Sequence, residues 1–210
     1  MANDFFGKRP GLLFVVSGPA GSGKGTVMKL LTQYNDDFAL SVSATTRFPG
    51  KGERDGVEYY FKTRAEFERM IAEHELLEYT EYLGNYYGTP KAPVLEALGG
   101  GKHLLLEIDV VGGAQIKKVY PDAILVMIVP PGAAEQERRL RTRARDSEES
   151  ILRRLARAHA ELDELPKYDY ILVNETGKAE TTADMIRAIA LSEQLTVRRT
   201  PHAAEKYFNN

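Results

Sequence analysis

Four short apolar runs punctuate the chain, at residues 12–17, 104–108, 123–129 and 170–173. They are too continuous for half-buried strands and too short for helices, so they predict strands buried on both faces. Helical patterns separate them. That alternation predicts an α/β fold: a parallel sheet with helices on both faces, whose ligands gather at the carboxyl ends of the strands. Pro130 and Pro131 end the third run, and Pro166 ends a long helical pattern that starts near Ser147. Two stretches stand apart. Residues 41–90, rich in Arg, Glu, Gly and Tyr, predict a small inserted lobe with an alternating stretch at 57–61 and a helix at 64–73. Residues 135–157 are dense in arginine, among them Arg138, Arg139, Arg141, Arg143, Arg145, Arg153, Arg154 and Arg157. Beyond Leu195 the tail is polar and is expected to fray.

The loop after the first run carries the most chemistry. Gly18-Pro19-Ala20-Gly21-Ser22-Gly23-Lys24-Gly25-Thr26 joins a predicted strand to a predicted helix. Its glycines let successive backbone N–H groups turn inward around an anion, and Lys24 adds a cation at the outer phosphates. The helix that follows aims its positive dipole end at the same place. Strand, loop and helix fall where a polyphosphate requires them, which a plain glycine-rich turn would not need. The common ending, Gly-Lys followed at once by Ser or Thr, is broken by Gly25, so Thr26 comes one residue late. That ending resembles the loops of adenylate kinases and other nucleoside monophosphate kinases, and it leaves direct ligation of Mg²⁺ by a hydroxyl open.

Length and composition narrow the partners. With 210 residues and 43% hydrophobic content, the chain is sized for one core with inserted subregions. Its 28 Lys and Arg against 30 Asp and Glu give a formal charge of −2, which offers nucleic acid or an anionic membrane no electrostatic footprint. The lack of cysteine excludes disulfides and thiolate metal sites and agrees with a reducing compartment. No apolar stretch approaches the roughly 18 residues of a membrane span, so a soluble, cytoplasmic protein acting on small molecules is expected. His74, His103, His159 and His202 show no ligand spacing. On composition alone the arginine-dense stretch reads as a solvated helix face. An oligomer stays open.

Motifs downstream of the loop sharpen this reading. Ser41-Val42-Ser43-Ala44-Thr45-Thr46-Arg47 precedes Gly56-Val57-Glu58-Tyr59-Tyr60-Phe61 and then Gly84-Asn85-Tyr86-Tyr87-Gly88-Thr89. Further on stand Leu106-Glu107-Ile108-Asp109, Pro130-Pro131, the arginines from 139 to 145, Asp146-Ser147-Glu148-Glu149 and Tyr168-Asp169-Tyr170-Ile171-Leu172-Val173-Asn174. In this order and spacing, from about residue 12 to 193, the chain resembles the guanylate kinases. The resemblance implies a single domain over 1–210 with a P-loop NTPase-like core (1–40, 91–134 and 158–210). Into it are set a GMP-binding lobe (41–90) and a helical lid (135–157). It also implies transfer of the γ-phosphate of MgATP to GMP, with ATP and GMP as partners and Mg²⁺ as cofactor.

Residue roles follow from the same resemblance. Guanine is read by Glu78 and Thr89. A carboxylate accepts hydrogen bonds from both N1–H and the 2-amino group of guanine, whereas adenine has a bare acceptor at N1, and such a site rejects the wrong base by about 10⁴ or more. The GMP phosphate goes to Ser43, Arg47, Tyr59 and Tyr87, with Asp109 near GMP or the water shell of Mg²⁺. ATP is held by residues 18–26, by Arg143 and, at the adenine, by Asn174. Lys24, Arg47, Arg139, Arg143 and Arg154 are the catalytic cations that stabilise charge on the moving phosphoryl group. Mg²⁺ is carried on the ATP phosphates, with Thr26 or Asp109 as candidates to reach it through water.

Four positions depart from the family pattern. Gly50 stands where a second phosphate-binding arginine is usual, and neither Lys51 nor Arg54 is at that position; a lysine cannot reproduce a bidentate guanidinium fork. Thr142 and Ala144 replace the glycines that flank the middle lid arginine, which bears on lid closure. Glu107 replaces an aspartate. Two other functions compete: a related P-loop kinase acting on another phosphorylated acceptor such as a ribose bisphosphate, and a non-catalytic module that binds phosphopeptides. Glu78 with Thr89 argues against the first, and the retained Lys24 against the second.

Overall fold

A computed structural model describes residues 9–142, 147–200 and 203–208. In chain order the first elements are β1 (Leu13–Ser17), α1 (Lys24–Gln33), β2 (Phe38–Leu40), β3 (Ala44–Thr45), β4 (Tyr60–Phe61), α2 (Arg64–Ala72), β5 (Leu76–Tyr82), β6 (Asn85–Pro90) and α3 (Lys91–Gly99). They are followed by β7 (His103–Glu107), α4 (Val110–Val119), β8 (Ile124–Val129), α5 (Ala133–Thr142), α6 (Glu148–Asp163), β9 (Tyr170–Val173), α7 (Ala179–Gln194) and α8 (Ala203–Phe208).

Five strands form a sheet in the order β2-β7-β1-β8-β9, all parallel. The apolar run of β1 supplies both faces at once. Phe14 and Val16 pack with Val27, Met28 and Leu31 of α1 and Ile186 and Ala190 of α7, while Leu13 and Val15 pack with Val94 and Leu98 of α3 and Ile116 of α4. This is the α/β architecture that the alternation predicts.

The edges differ from expectation. β9 borders solvent, and Ile171 and Val173 are 50% and 48% exposed, so the fourth run is not buried on both faces. On the other edge β2 is a strand the apolar pattern did not announce, because three residues are too short a run to stand out. The first residues of the tail are tied to the body of the protein. Glu193 accepts from Tyr170 Oη at 2.8 Å and Arg198 Nη2 at 2.5 Å, Arg199 Nη2 donates to the Asp122 carbonyl at 2.9 Å, and α8 follows.

Residues 44–90 build a second, four-stranded sheet in the order β4-β3-β6-β5. The expected strand at 57–61 shrinks to Tyr60–Phe61, because Gly56 N donates to the Tyr59 carbonyl at 2.8 Å and the chain turns there. α2 begins where expected, on a capping box. Thr63 Oγ1 accepts from Glu66 N and the Glu66 carboxylate accepts from Thr63 N, so two first-turn donors are satisfied. The β5–β6 hairpin is new.

Candidate active site

β1 delivers the chain to the carboxyl edge of the parallel sheet, where residues 18–23 turn into α1. Gly18 holds φ at 144°, and a Cβ there would stand 2.0 Å from the Ile128 carbonyl oxygen. Gly23 holds φ at 86°, and its Cβ would stand 2.3 Å from Asn174 Nδ2. Gly23 also caps α1 without a side-chain acceptor, so no side chain competes with an anion for the first-turn N–H groups.

Partners outside the loop hold its carbonyls. Gln136 Nε2 donates to Ala20 O at 2.9 Å and Asn174 Nδ2 to Ser22 O at 2.8 Å. Arg139 Nη1 reaches Gly21 O and Ser22 O at 3.3 and 3.4 Å, and Lys24 Nζ folds back onto Gly18 O. Arg139 is aimed by Glu135, whose Oε1 accepts from Arg139 Nε at 2.7 Å; Arg138, Thr176 and Arg139 together hold the Glu135 carboxyl far below the usual range. Beside the loop lies a cavity of ≈ 310 Å³ lined by Gly21, Gly23, Thr26, Arg139, Asn174 and Thr176, among others.

A second cavity, of ≈ 330 Å³, opens between the inserted lobe and the ends of β7 and α4. Its walls carry Ser43, Tyr59, Tyr87, Thr80, Tyr82 and Arg157, and three carboxylates: Glu78, Glu107 and Asp109. Glu78 and Thr89 are 5% and 0% exposed, and Thr89 Oγ1 donates to Glu78 Oε1 at 2.6 Å. Burial pushes the Glu78 carboxyl up, and the Thr89 hydroxyl works against that. Glu78 Oε2 rests against α4 at Gly112, where a Cβ would stand 3.2 Å from it. Asp109 caps α4: its Oδ1 accepts from Val111 N at 3.1 Å and Gly112 N at 3.0 Å, and its Oδ2 accepts from Arg157 Nη2 at 3.1 Å. Glu107 lies between the cavities, with Oε2 4.0 Å from where a Cβ on Gly25 would stand.

Arg47 lies near this cavity rather than in its lining. Its Nη2 pairs with both oxygens of Glu53 at 2.9 Å, and its guanidinium sits 5.3 Å from the centroid of the Tyr59 ring. Glu53 also accepts from Gly50 N at 2.6 Å; that bond and Arg47 lower its carboxyl.

A family model described as guanylate kinase matches residues 11–190. The chain belongs to the guanylate kinase family. It is 46% identical over 189 residues to the guanylate kinase of Carboxydothermus hydrogenoformans, covering 90% of this chain and 92% of that one. It is 48% identical over 167 residues to that of Thermosynechococcus vestitus, covering 80% and 87%. The crystal structure of guanylate kinase from Anaplasma phagocytophilum is similar with a TM-score of 0.71 at 31% identity, covering 94% of each chain.

Of the residues singled out in the sequence, the fold brings Ser43, Tyr59, Glu78, Tyr87 and Asp109 to one cavity, with Thr89 directly behind Glu78. It brings Gly21, Gly23, Thr26, Arg139 and Asn174 to the other. Arg154 lies on the exposed face of α6 and lines neither cavity. Arg143 and Ala144 are outside the described residues. Thr80, Tyr82 and Gln136 were not singled out, and Arg157 was named only as part of the arginine-dense stretch. Alternation from Glu78 would have found Thr80 and Tyr82 had β5 been recognised; Gln136 and Arg157 have no local signal, because their partners are distant in sequence.

Proposed function

We propose that this guanylate kinase family member transfers the γ-phosphoryl group of ATP to the phosphate of GMP, with ATP in the loop-side cavity and GMP in the acidic one. The buried Glu78–Thr89 pair carries that division. Thr89 orients a carboxylate that offers only acceptors when ionised, which suits the two donors of a guanine edge and leaves adenine unmatched. Ser43, Tyr59 and Tyr87 supply hydroxyls to the GMP phosphate, and Arg47 exchanges Glu53 for it. On the donor side Lys24 exchanges the Gly18 carbonyl for the outer phosphates of ATP.

A GMP phosphate oxygen then attacks the γ-phosphorus, the bond to ADP breaks, and no covalent enzyme intermediate is needed. Arg139, Arg143 and Arg154 are the assigned cations for the charge on the moving group; Arg139 already stands at the loop. Asn174 holds the loop from the adenine side. Among the described residues no cluster of three acidic or histidine side chains could cage a metal. That fits Mg²⁺ carried on nucleotide phosphates and waters with one or two protein oxygens. Thr26, exposed at the cavity, would hold it, with Asp109 or Glu107 through water; bound there, Mg²⁺ would neutralise phosphate charge. Among the described residues no helix is long and apolar enough to cross a membrane, and a chain without cysteine suits the reducing cytoplasm.

ADP release measured in parallel with GMP, AMP and ribose 1,5-bisphosphate tests the reading, with Lys24→Ala as the inactive reference. Turnover confined to GMP is expected. Comparable turnover of AMP or the sugar phosphate would overturn it, as would well-folded protein that binds a phosphopeptide and turns over nothing.

A further inference from the structure

The wall of the acidic cavity carries three carboxylates and, among its described lining residues, one cation. That cation is Arg157, on α6 at the end of the arginine-dense stretch. Its Nε pairs with Glu161 Oε1 at 3.1 Å and its Nη2 with Asp109 Oδ2 at 3.1 Å, so one guanidinium joins α6 to the start of α4. Asp109 is thereby divided between two tasks, Oδ1 capping the α4 backbone and Oδ2 meeting Arg157. The second residue it caps, Gly112, is the one against which Glu78 Oε2 rests.

We propose that Arg157 is a positioning residue for the acceptor site: by holding Asp109 in its capping rotamer it keeps the first turn of α4 seated behind the guanine-reading Glu78. Without the guanidinium, Asp109 loses its ion pair while Glu78 and Glu107 line the same wall, and repulsion turns it toward solvent, which releases the cap. The planar fork matters because Nε and Nη2 engage Glu161 and Asp109 together, which a single ammonium cannot do at the same geometry. A bland surface role, an i,i+4 pair with Glu161 on a solvated helix, predicts none of this. The inference rests on the assignment of GMP to this cavity.

Steady-state kinetics of the full chain with ATP and GMP test it. Arg157 is exposed enough for Arg157→Gln to fold, which a thermal melt checks. The variant should raise KM for GMP about threefold to fivefold, the scale of an exposed charged contact, while kcat and KM for ATP hold. Arg157→Lys should fall between the two. Glu161→Gln, which keeps an acceptor for Nε and leaves the Asp109 contact in place, should move KM for GMP less than Arg157→Gln does. In an Asp109→Asn background the Arg157→Gln effect should vanish, because the two act as one unit. An unmoved KM for GMP in Arg157→Gln, a loss confined to kcat, or additivity with Asp109→Asn would overturn the proposal. If Arg157→Gln does not fold, a wild-type KM for Arg157→Lys would overturn it instead. Failure of the wild-type chain to turn over GMP would sink the functional reading, a distinguishable result.

Discussion

Glu78→Gln separates recognition from stability, because the two should move in opposite directions. The change keeps the size of the side chain and replaces one carboxylate oxygen with an amide donor. Thr89 Oγ1, 2.6 Å from Oε1, continues to donate to the remaining oxygen, so the new N–H₂ lies on the side facing the base. Guanine then meets a donor where it needs an acceptor. One charge-assisted bond is lost and two donors oppose each other, a cost of about 3 to 5 kcal/mol, or about 10²- to 10⁴-fold in kcat/KM for GMP. Adenine N1 is an acceptor and fits the amide, so AMP turnover should hold or rise, and the GMP-to-AMP ratio should collapse from the GMP side.

Stability should change the other way. Burial raises the Glu78 carboxyl above its ordinary value of 4.5, so the folded chain binds its proton more tightly than the unfolded chain does. Folding stability therefore falls as pH rises from about the unfolded pKa through the raised folded one, above which the penalty of a buried charge is fully present. Gln carries no such penalty. Urea unfolding followed across pH should give a higher midpoint for Glu78→Gln above the raised folded value, and the wild-type loss of stability through that titration should be absent from the variant. A variant that loses GMP and AMP turnover equally, or that melts below the wild type, would mean that Glu78 supports the fold and reads nothing.

Three further outcomes follow from individual positions. Gly50→Arg restores a guanidinium beside Arg47 and Glu53, and KM for GMP should drop about tenfold to a hundredfold; an unchanged KM would make the glycine silent. Leu83, 82% exposed, sits at φ 49° in the two-residue turn between β5 and β6, with Gly84 at φ 76°. Leu83→Asn should raise stability by about 1 kcal/mol in urea titrations, since asparagine tolerates that conformation, and a lowered midpoint would refute the strain. His103 Nδ1 accepts from Leu12 N at 2.9 Å, and burial lowers the imidazole below 6.5. Its stability contribution is full above pH 6.5 and is lost as pH falls through the depressed folded value; His103→Leu should flatten that part of the stability profile, and an unaltered slope would refute it.

What could be read from the sequence follows how local each feature is. The glycine-rich loop and the first turn of its helix are nine consecutive residues after an apolar run, so the pattern is complete within the segment. α2 announces itself by Thr63 and Glu66, three residues apart. The β5–β6 hairpin was hidden for two reasons. A register shift between Leu76 and Glu78 breaks the alternation at the start of β5, and beyond it the face bearing Glu78, Thr80 and Tyr82 lines a polar cavity instead of a core. A strand that serves a ligand lacks the hydrophobic period by which strands are recognised. Glu78 was therefore legible only through the resemblance. The tie at the start of the tail depends on Glu193 meeting Arg198 and Arg199, and charge pairing of that kind leaves no trace in composition.

The arginine-dense stretch divides into two halves with different mechanical ties. Gln136 and Arg139 lie three residues apart on α5 and both hold carbonyls of the phosphate loop, so this helix is fastened to the donor side. Arg141 pairs with Glu148 at the start of α6, at 2.6 Å and 2.7 Å, which joins the two helices across residues 143–147. Arg157 in turn fastens α6 to Asp109 on the acceptor side. The loop-side cavity and the acidic cavity are thus bridged, among the described residues, by one run of ion pairs and helices, so the Arg141–Glu148 pair is the link at which the two ties of the stretch meet.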